Sequence, residues 1–123
     1  MHILIVEDDR KLGALLEQGL REDGFQVVWA RDGEEAIVKA TEGEYDLILL
    51  DYMLPRKSGF EVTKELRGSG LRTPILMLTA RDAPEDLREA LRAGVNELMG
   101  KPFRFGELVD RIRSLAAGAA DQG

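Results

Sequence analysis

The chain has no cysteine, which excludes disulfide bridges, thiolate metal sites and cysteine nucleophiles. Its one histidine, His2, opens an apolar run and reads as a partly covered strand residue, not as a ligand or general base. Long apolar runs are absent. The opening stretch from Met1 meets acids at Glu7, Asp8 and Asp9, where a secretory leader needs a longer apolar core and a small-residue cleavage site. No membrane association and a cytoplasmic location are the default expectations. No glycine-rich turn ends in Gly-Lys-Ser/Thr, so a P-loop nucleotide site is excluded. An excess of basic residues is also missing. The 17 Lys and Arg against 23 Asp and Glu give a net charge of -6, and a surface that grips nucleic acid draws on clustered cations to displace counterions. Any DNA contact would belong to a segment outside this chain.

What is present suits one soluble domain: 123 residues, 44% hydrophobic and 33% charged, enough to bury a single core. Three short apolar runs, Ile3 to Val6, Leu47 to Leu50 and Ile75 to Leu78, fit strands covered on both faces. Two further runs, Phe25 to Trp29 and Val95 to Met99, are interrupted by Gln26 and by Asn96 with Glu97, which predicts the two edges. Segments with helical spacing alternate with them: Leu12, Leu15, Leu16 and Leu20, and later Leu108, Ile112 and Leu115, are examples. Asp9 and Asp32 suit N-caps, and Gly24 and Gly94 suit left-handed C-caps.

Five such units predict an α/β fold, a three-layer doubly wound parallel sheet of five strands in the flavodoxin-like order 2-1-3-4-5 with five helices. Winding reverses between the first and third strands, and a crevice opens at their carboxyl ends. Glu7, Asp8 and Asp9 follow the first strand there, and Asp51 follows the third. Clustered carboxylates repel one another unless a cation compensates. Oxygen-only donors select a hard ion, and a partly open carboxylate site suits Mg²⁺ (or Mn²⁺) awaiting a phosphate. Asp9, taken alone, is better explained as a helix cap than as a ligand. Thr79 and Lys101, at the ends of the fourth and fifth strands, stand on the same edge, where a hydroxyl and an ammonium can bind phosphoryl oxygens.

Glu7-Asp8, Asp51-Tyr52-Met53-Leu54-Pro55, Thr79-Ala80 and Lys101-Pro102-Phe103 resemble, in order and spacing, the signature positions of response-regulator receiver domains. The resemblance spans Met1 to about Leu115 and extends to the receivers attached to winged-helix transcriptional regulators. It implies that Asp51 is the phosphoacceptor. Glu7, Asp8, Asp51 and the backbone carbonyl of Met53 would bind Mg²⁺, Lys101 would pair with the phosphoryl group, and Thr79 would hydrogen-bond it. The Lys101-Pro102 bond resembles the family's cis peptide. A sensor histidine kinase or a small acyl phosphate would be the donor, and the chain would be a switch, not a turnover enzyme.

Met53 and Arg81 occupy positions that in this family modulate access of water to the phosphoryl group, and their bulk predicts slow self-dephosphorylation. Leu98 departs from the family's Tyr or Phe, which puts the usual Thr-aromatic coupling in question. The fourth helix, fifth strand and fifth helix carry Leu87, Leu91 and Val109 among Arg88, Arg92, Glu97, Glu107, Asp110, Arg111 and Arg113. That mixture resembles the family's homodimer face. Residues 1–117 are expected to form the receiver domain, and 118–123 a flexible tail or the start of a linker to an effector domain.

Competing readings are weaker. A flavodoxin needs a hydroxyl- and glycine-rich loop where Glu7-Asp8-Asp9 would repel its phosphate. An aspartate-nucleophile phosphatase needs a second acid where Met53 stands. A receiver-like adaptor that works without phosphorylation has no use for the intact acids, Thr79 and Lys101.

Overall fold

A computed structural model describes the backbone of residues 1–80 and 84–122 and the side chains of 1–80 and 87–118. The uninterrupted apolar runs become the three inner strands, β1 (His2–Val6), β3 (Leu47–Asp51) and β4 (Ile75–Thr79). β2 (Gln26–Ala30) and β5 (Glu97–Gly100) are the edges, in the order β2-β1-β3-β4-β5. Every pairing is parallel. The polar interruptions fall on the edges because only there does a strand keep a side open to water. β5 starts later than its apolar run. The side-chain oxygen of Asn96 takes the N–H of Ile75 at 2.8 Å, a donor that a neighbouring backbone carbonyl would otherwise accept.

Five helices connect the strands: α1 (Arg10–Glu22), α2 (Gly33–Glu42), α3 (Gly59–Gly68), α4 (Pro84–Ala93) and α5 (Phe105–Gln122). Asp9 caps α1 by accepting from the N–H groups of Lys11 and Leu12, and Asp32 caps α2 by accepting from Glu35. Ser58 does the same for α3 through the N–H of Glu61. Gly24 and Gly94 leave α1 and α4 at φ of 92° and 109°, where a side chain would be strained. α5 continues to Gln122, well past Leu115, where the apolar period ends. The alanines from 116 onward favour helix intrinsically and need no buried face to extend it.

Side chains alternate along each strand and divide the core in two. Leu4, Val6, Ile48, Leu50, Ile75 and Met77 face Ala36, Val62, Leu66 and Ala90 of α2, α3 and α4. Ile3, Ile5, Leu47, Leu49, Leu76 and Leu78 face Leu16, Leu20, Leu108 and Ile112 of α1 and α5. Each large aliphatic group so buried contributes about 1.5–3 kcal/mol. At the far edge of the sheet Arg67 donates to the carbonyls of Gly94 and Leu71 and to Asn96 Oδ1, at 2.9–3.0 Å. It ties the end of α3 to the chain leaving α4.

Two members of the expected dimer face are placed elsewhere. Val109 is only 7% exposed and belongs to the core beneath α1 and α5. Arg113 turns toward α1, stacking over Phe25 at 5.0 Å and donating to the carbonyl of Asp23. The resemblance grouped both with the α4 side, but α5 packs on the other sheet face and rotates them inward or away. Leu87 and Leu91 remain on the surface, 44% and 54% exposed.

Candidate phosphoacceptor and metal site

β1 and β3 are neighbours with Val6 level with Leu50, so the next residues, Glu7 and Asp51, emerge side by side. Carboxylate oxygens of Glu7, Asp8 and Asp51 all lie within 4.8 Å of one another. They line a cavity of about 450 Å³ together with Asp9, Met53, Leu54, Pro55 and Lys101. Glu7 and Asp51 are almost fully buried while Asp8 is exposed, so the group opens to solvent on one side. Lys101 reaches in from the end of β5, its Nζ 3.0 Å from Asp51 Oδ1 and 3.7 Å from Glu7 Oε1. Its backbone N–H is fixed by the carbonyl of Thr79 at 2.8 Å, and the Lys101-Pro102 peptide is cis.

Burial pushes the Glu7 carboxyl up to about 7, and the adjacent Asp51 carboxylate adds to the rise against the opposing N–H of Asp9 and charge of Lys101. One oxygen, Oε2, accepts from the N–H of Asp9 at 3.1 Å. The other, Oε1, is buried and has no hydrogen-bond donor among the described residues. A buried acceptor with no donor normally costs stability. A cation in the cavity would satisfy it. Three oxygen donors, one on an exposed residue, leave coordination positions for water or phosphate, which suits a small hard ion.

Most residues expected at the site converge there: Glu7, Asp8, Asp51, Met53 and Lys101 line one cavity. Thr79 is buried at the end of β4, one strand away from Asp51, and joins the group through its backbone bond to Lys101. Leu98 is partly buried against the apolar cluster that also receives Tyr52 and Leu54. Arg81 lies outside the described residues. Gly59 was not anticipated from the sequence. Its N–H donates to the carbonyl of Tyr52, and a Cβ there would come within 2.8 Å of the Asp51 carbonyl. The sequence signal was present in Ser58-Gly59, a cap followed by the smallest residue at a helix start.

Comparisons with known proteins bear on the family and the fold. The family model for the response regulator receiver domain matches residues 3–113. The transcriptional regulatory protein PcoR of Escherichia coli is 44% identical over 120 residues, covering 98% of this chain and 53% of that protein. The transcriptional activator protein IrlR of Burkholderia pseudomallei is 47% identical over 115 residues, covering 94% and 50%. The chain thus spans about half the length of these relatives. Among solved structures, the Francisella response regulator 1452 receiver domain superposes with a TM-score of 0.91 at 31% identity, covering 96% of this chain and 98% of that one. The response regulator TrrA of Thermotoga maritima, solved in complex with Mg²⁺-BeF, gives 0.83 at 35% identity, covering 93% and 97%. A family model matched over residues 3–113, relatives 44% and 47% identical over nearly the whole chain and a shared fold lead to one assignment: this chain belongs to the response regulator receiver domain family.

Proposed function

We propose that Asp51 receives a phosphoryl group, with Glu7, Asp8, Asp51 and the Met53 carbonyl holding Mg²⁺ or Mn²⁺ and Lys101 pairing with the incoming oxygens. The observation that carries this reading is the contact between the buried Asp51 carboxylate and Lys101 in a cavity shared with two further acids. In the step itself a carboxylate oxygen of Asp51 attacks phosphorus, and the bond to the donor's imidazole nitrogen or carboxyl oxygen breaks. The product is an aspartyl phosphate. Such transfers pass through a loose transition state in which alignment and charge neutralisation dominate. A bound divalent ion supplies part of that neutralisation at the phosphoryl oxygens. Lys101 supplies another positive charge, held ready by its backbone bond to Thr79. The Thr79 hydroxyl is assigned to hydrogen-bond the phosphoryl group, with Pro102 fixing the chain beside Lys101. Met53, 68% exposed at the cavity rim, and Arg81 are assigned to limit access of water, giving a phosphoryl lifetime longer than seconds.

The donor is assigned as a sensor histidine kinase. Phosphorylation would bias the surface of α4, β5 and α5 toward a homodimer or an effector contact. There Glu97 and Glu107 both bind Arg111, at 2.8 and 3.2 Å, beside the exposed Leu87 and Leu91. Leu98 sets how strongly Thr79 communicates with that surface. Residues 118–123 would begin the connection to an effector segment that contacts DNA. No described helix is long and apolar enough to cross a membrane, and a cytoplasmic location is part of the proposal. Fluorine NMR with beryllofluoride tests the site: a bound signal is expected only with Mg²⁺ present and only while Asp51 is intact. The absence of a bound signal at saturating Mg²⁺ would favour a phosphorylation-independent adaptor.

A further inference from the structure

Trp29 stands on β2, directly beside β1, and is the chain's single tryptophan. Its indole N–H donates to the main-chain carbonyl of Glu7 at 2.8 Å. The N–H of Glu7 in turn donates to the carbonyl of Ala30 at 3.0 Å. Both backbone groups of Glu7 are therefore tied to β2, although β1 itself ends one residue earlier, at Val6. The indole does for Glu7 what a ladder amide does inside a strand.

This reach depends on Gly13. A Cβ at that position would lie 2.0 Å from Trp29 Cζ2, so α1 can rest on the indole only where it has no side chain. Gly13 also donates its N–H to the carbonyl of Asp9, closing the first turn of the helix that follows the acids. From another side the Arg31 guanidinium lies 5.1 Å from the indole centroid. The ring is thus held by α1, by Arg31 and by its own hydrogen bond to Glu7.

We infer that Trp29 is a positioning residue for the divalent ion: its indole N–H fixes the Glu7 peptide and so aims the carboxylates of Glu7 and Asp8 into the cavity. The inference rests on the proposed role of those two acids as ion ligands. Groups that orient metal ligands from behind typically change affinity by about 10- to 100-fold when removed, because the ligands must then be ordered at the moment of binding. A tryptophan that only fills space would not have this effect.

Titration with Mg²⁺ alone, followed by calorimetry, separates the two roles. Trp29→Phe keeps an aromatic ring and loses the N–H, and its Mg²⁺ Kd is expected to rise about tenfold. Val27→Ala, which removes buried methyl groups from the same strand and spares the indole bond, is expected to lower Tm and leave Kd unchanged. In the wild-type chain, which needs no substitution, the indole N–H resonance is expected to exchange slowly with solvent and to shift as Mg²⁺ is added. Equal Kd values for wild type and Trp29→Phe, equal weakening by Val27→Ala, or an indole resonance indifferent to Mg²⁺ would each overturn the positioning role. A wild-type chain that binds no Mg²⁺ would instead overturn the ion site, and the inference with it.

Discussion

The ammonium of Lys101 lies 3.0 Å from Asp51 Oδ1, a direct contact between the end of β5 and the end of β3 across the intervening strand β4. Lys101 is also 3.7 Å from Glu7 Oε1, so one cation faces both buried acids. Removing it as Lys101→Met should have two opposite effects. Phosphorylation by acetyl phosphate should slow about a hundredfold, the usual cost of losing one charge-stabilising group at a reacting centre. Mg²⁺ should bind more tightly, because the ion no longer shares the acids with a competing positive charge. Parallel rate and calorimetric measurements check both, and weaker Mg²⁺ binding would show that Lys101 supports the ion instead.

Glu7 predicts a pH dependence of stability. Its carboxyl titrates at about 7 in the folded, metal-free chain, against an ordinary value of 4.5. The folded state therefore binds a proton that the unfolded chain has released. The stabilisation this provides is fully present below pH 4.5 and is lost as pH rises through 7. In metal-free thermal melts Glu7→Gln should gain Tm relative to wild type between pH 5 and pH 8, as roughly estimated from that titration window. Added Mg²⁺ at pH 8 should stabilise wild type more than Glu7→Gln. A constant difference in Tm across this range would contradict the role given to burial at Glu7.

Gly59 packs against the backbone that carries the acceptor. Gly59→Ala would press a methyl group to within 2.8 Å of the Asp51 carbonyl, and overpacking of this kind costs about 1–3 kcal/mol. Met77 Cε lies equally near but ends a flexible side chain, whereas the Asp51 carbonyl and Tyr52 Cα are backbone, so phosphorylation should suffer more than global stability. Urea melts combined with phosphorylation rates would separate these effects, and an unchanged rate would place the relaxation elsewhere.

Arg67 holds three acceptors at the edge of the sheet remote from the cavity. Burial pulls its guanidinium below the ordinary value, and the charge is met by these three acceptors. Arg67→Met should cost about 2–4 kcal/mol in urea unfolding, since the acceptors it leaves are partly buried. Mg²⁺ affinity should not change. A loss below about 1 kcal/mol would mean that water replaces the guanidinium freely.

The fold was readable in the sequence where burial imposes a simple pattern. Ile3 to Val6, Leu47 to Leu50 and Ile75 to Leu78 fitted strands covered on both faces, and Asp9, Asp32, Gly24 and Gly94 marked helix ends by local chemistry. The meeting of Glu7, Asp8 and Asp51 followed from the sheet order, because adjacent strands in register must place their ends together. What the sequence did not show depended on helix rotation and on contacts between distant side chains. Spacing along α5 could not reveal that Val109 faces the core or that Arg113 turns to Phe25. Nor could it show Trp29 reaching past the end of β1 to Glu7, which requires a vacancy at Gly13 from another element.

The acceptor role of Asp51 is tested most directly by incubating the chain with acetyl phosphate and Mg²⁺ and measuring intact mass beside Asp51→Asn. The expected result is a gain of one phosphoryl group by the wild-type chain, abolished by chelating the metal and absent from the variant. An equal gain by Asp51→Asn, or none by either chain, would contradict it.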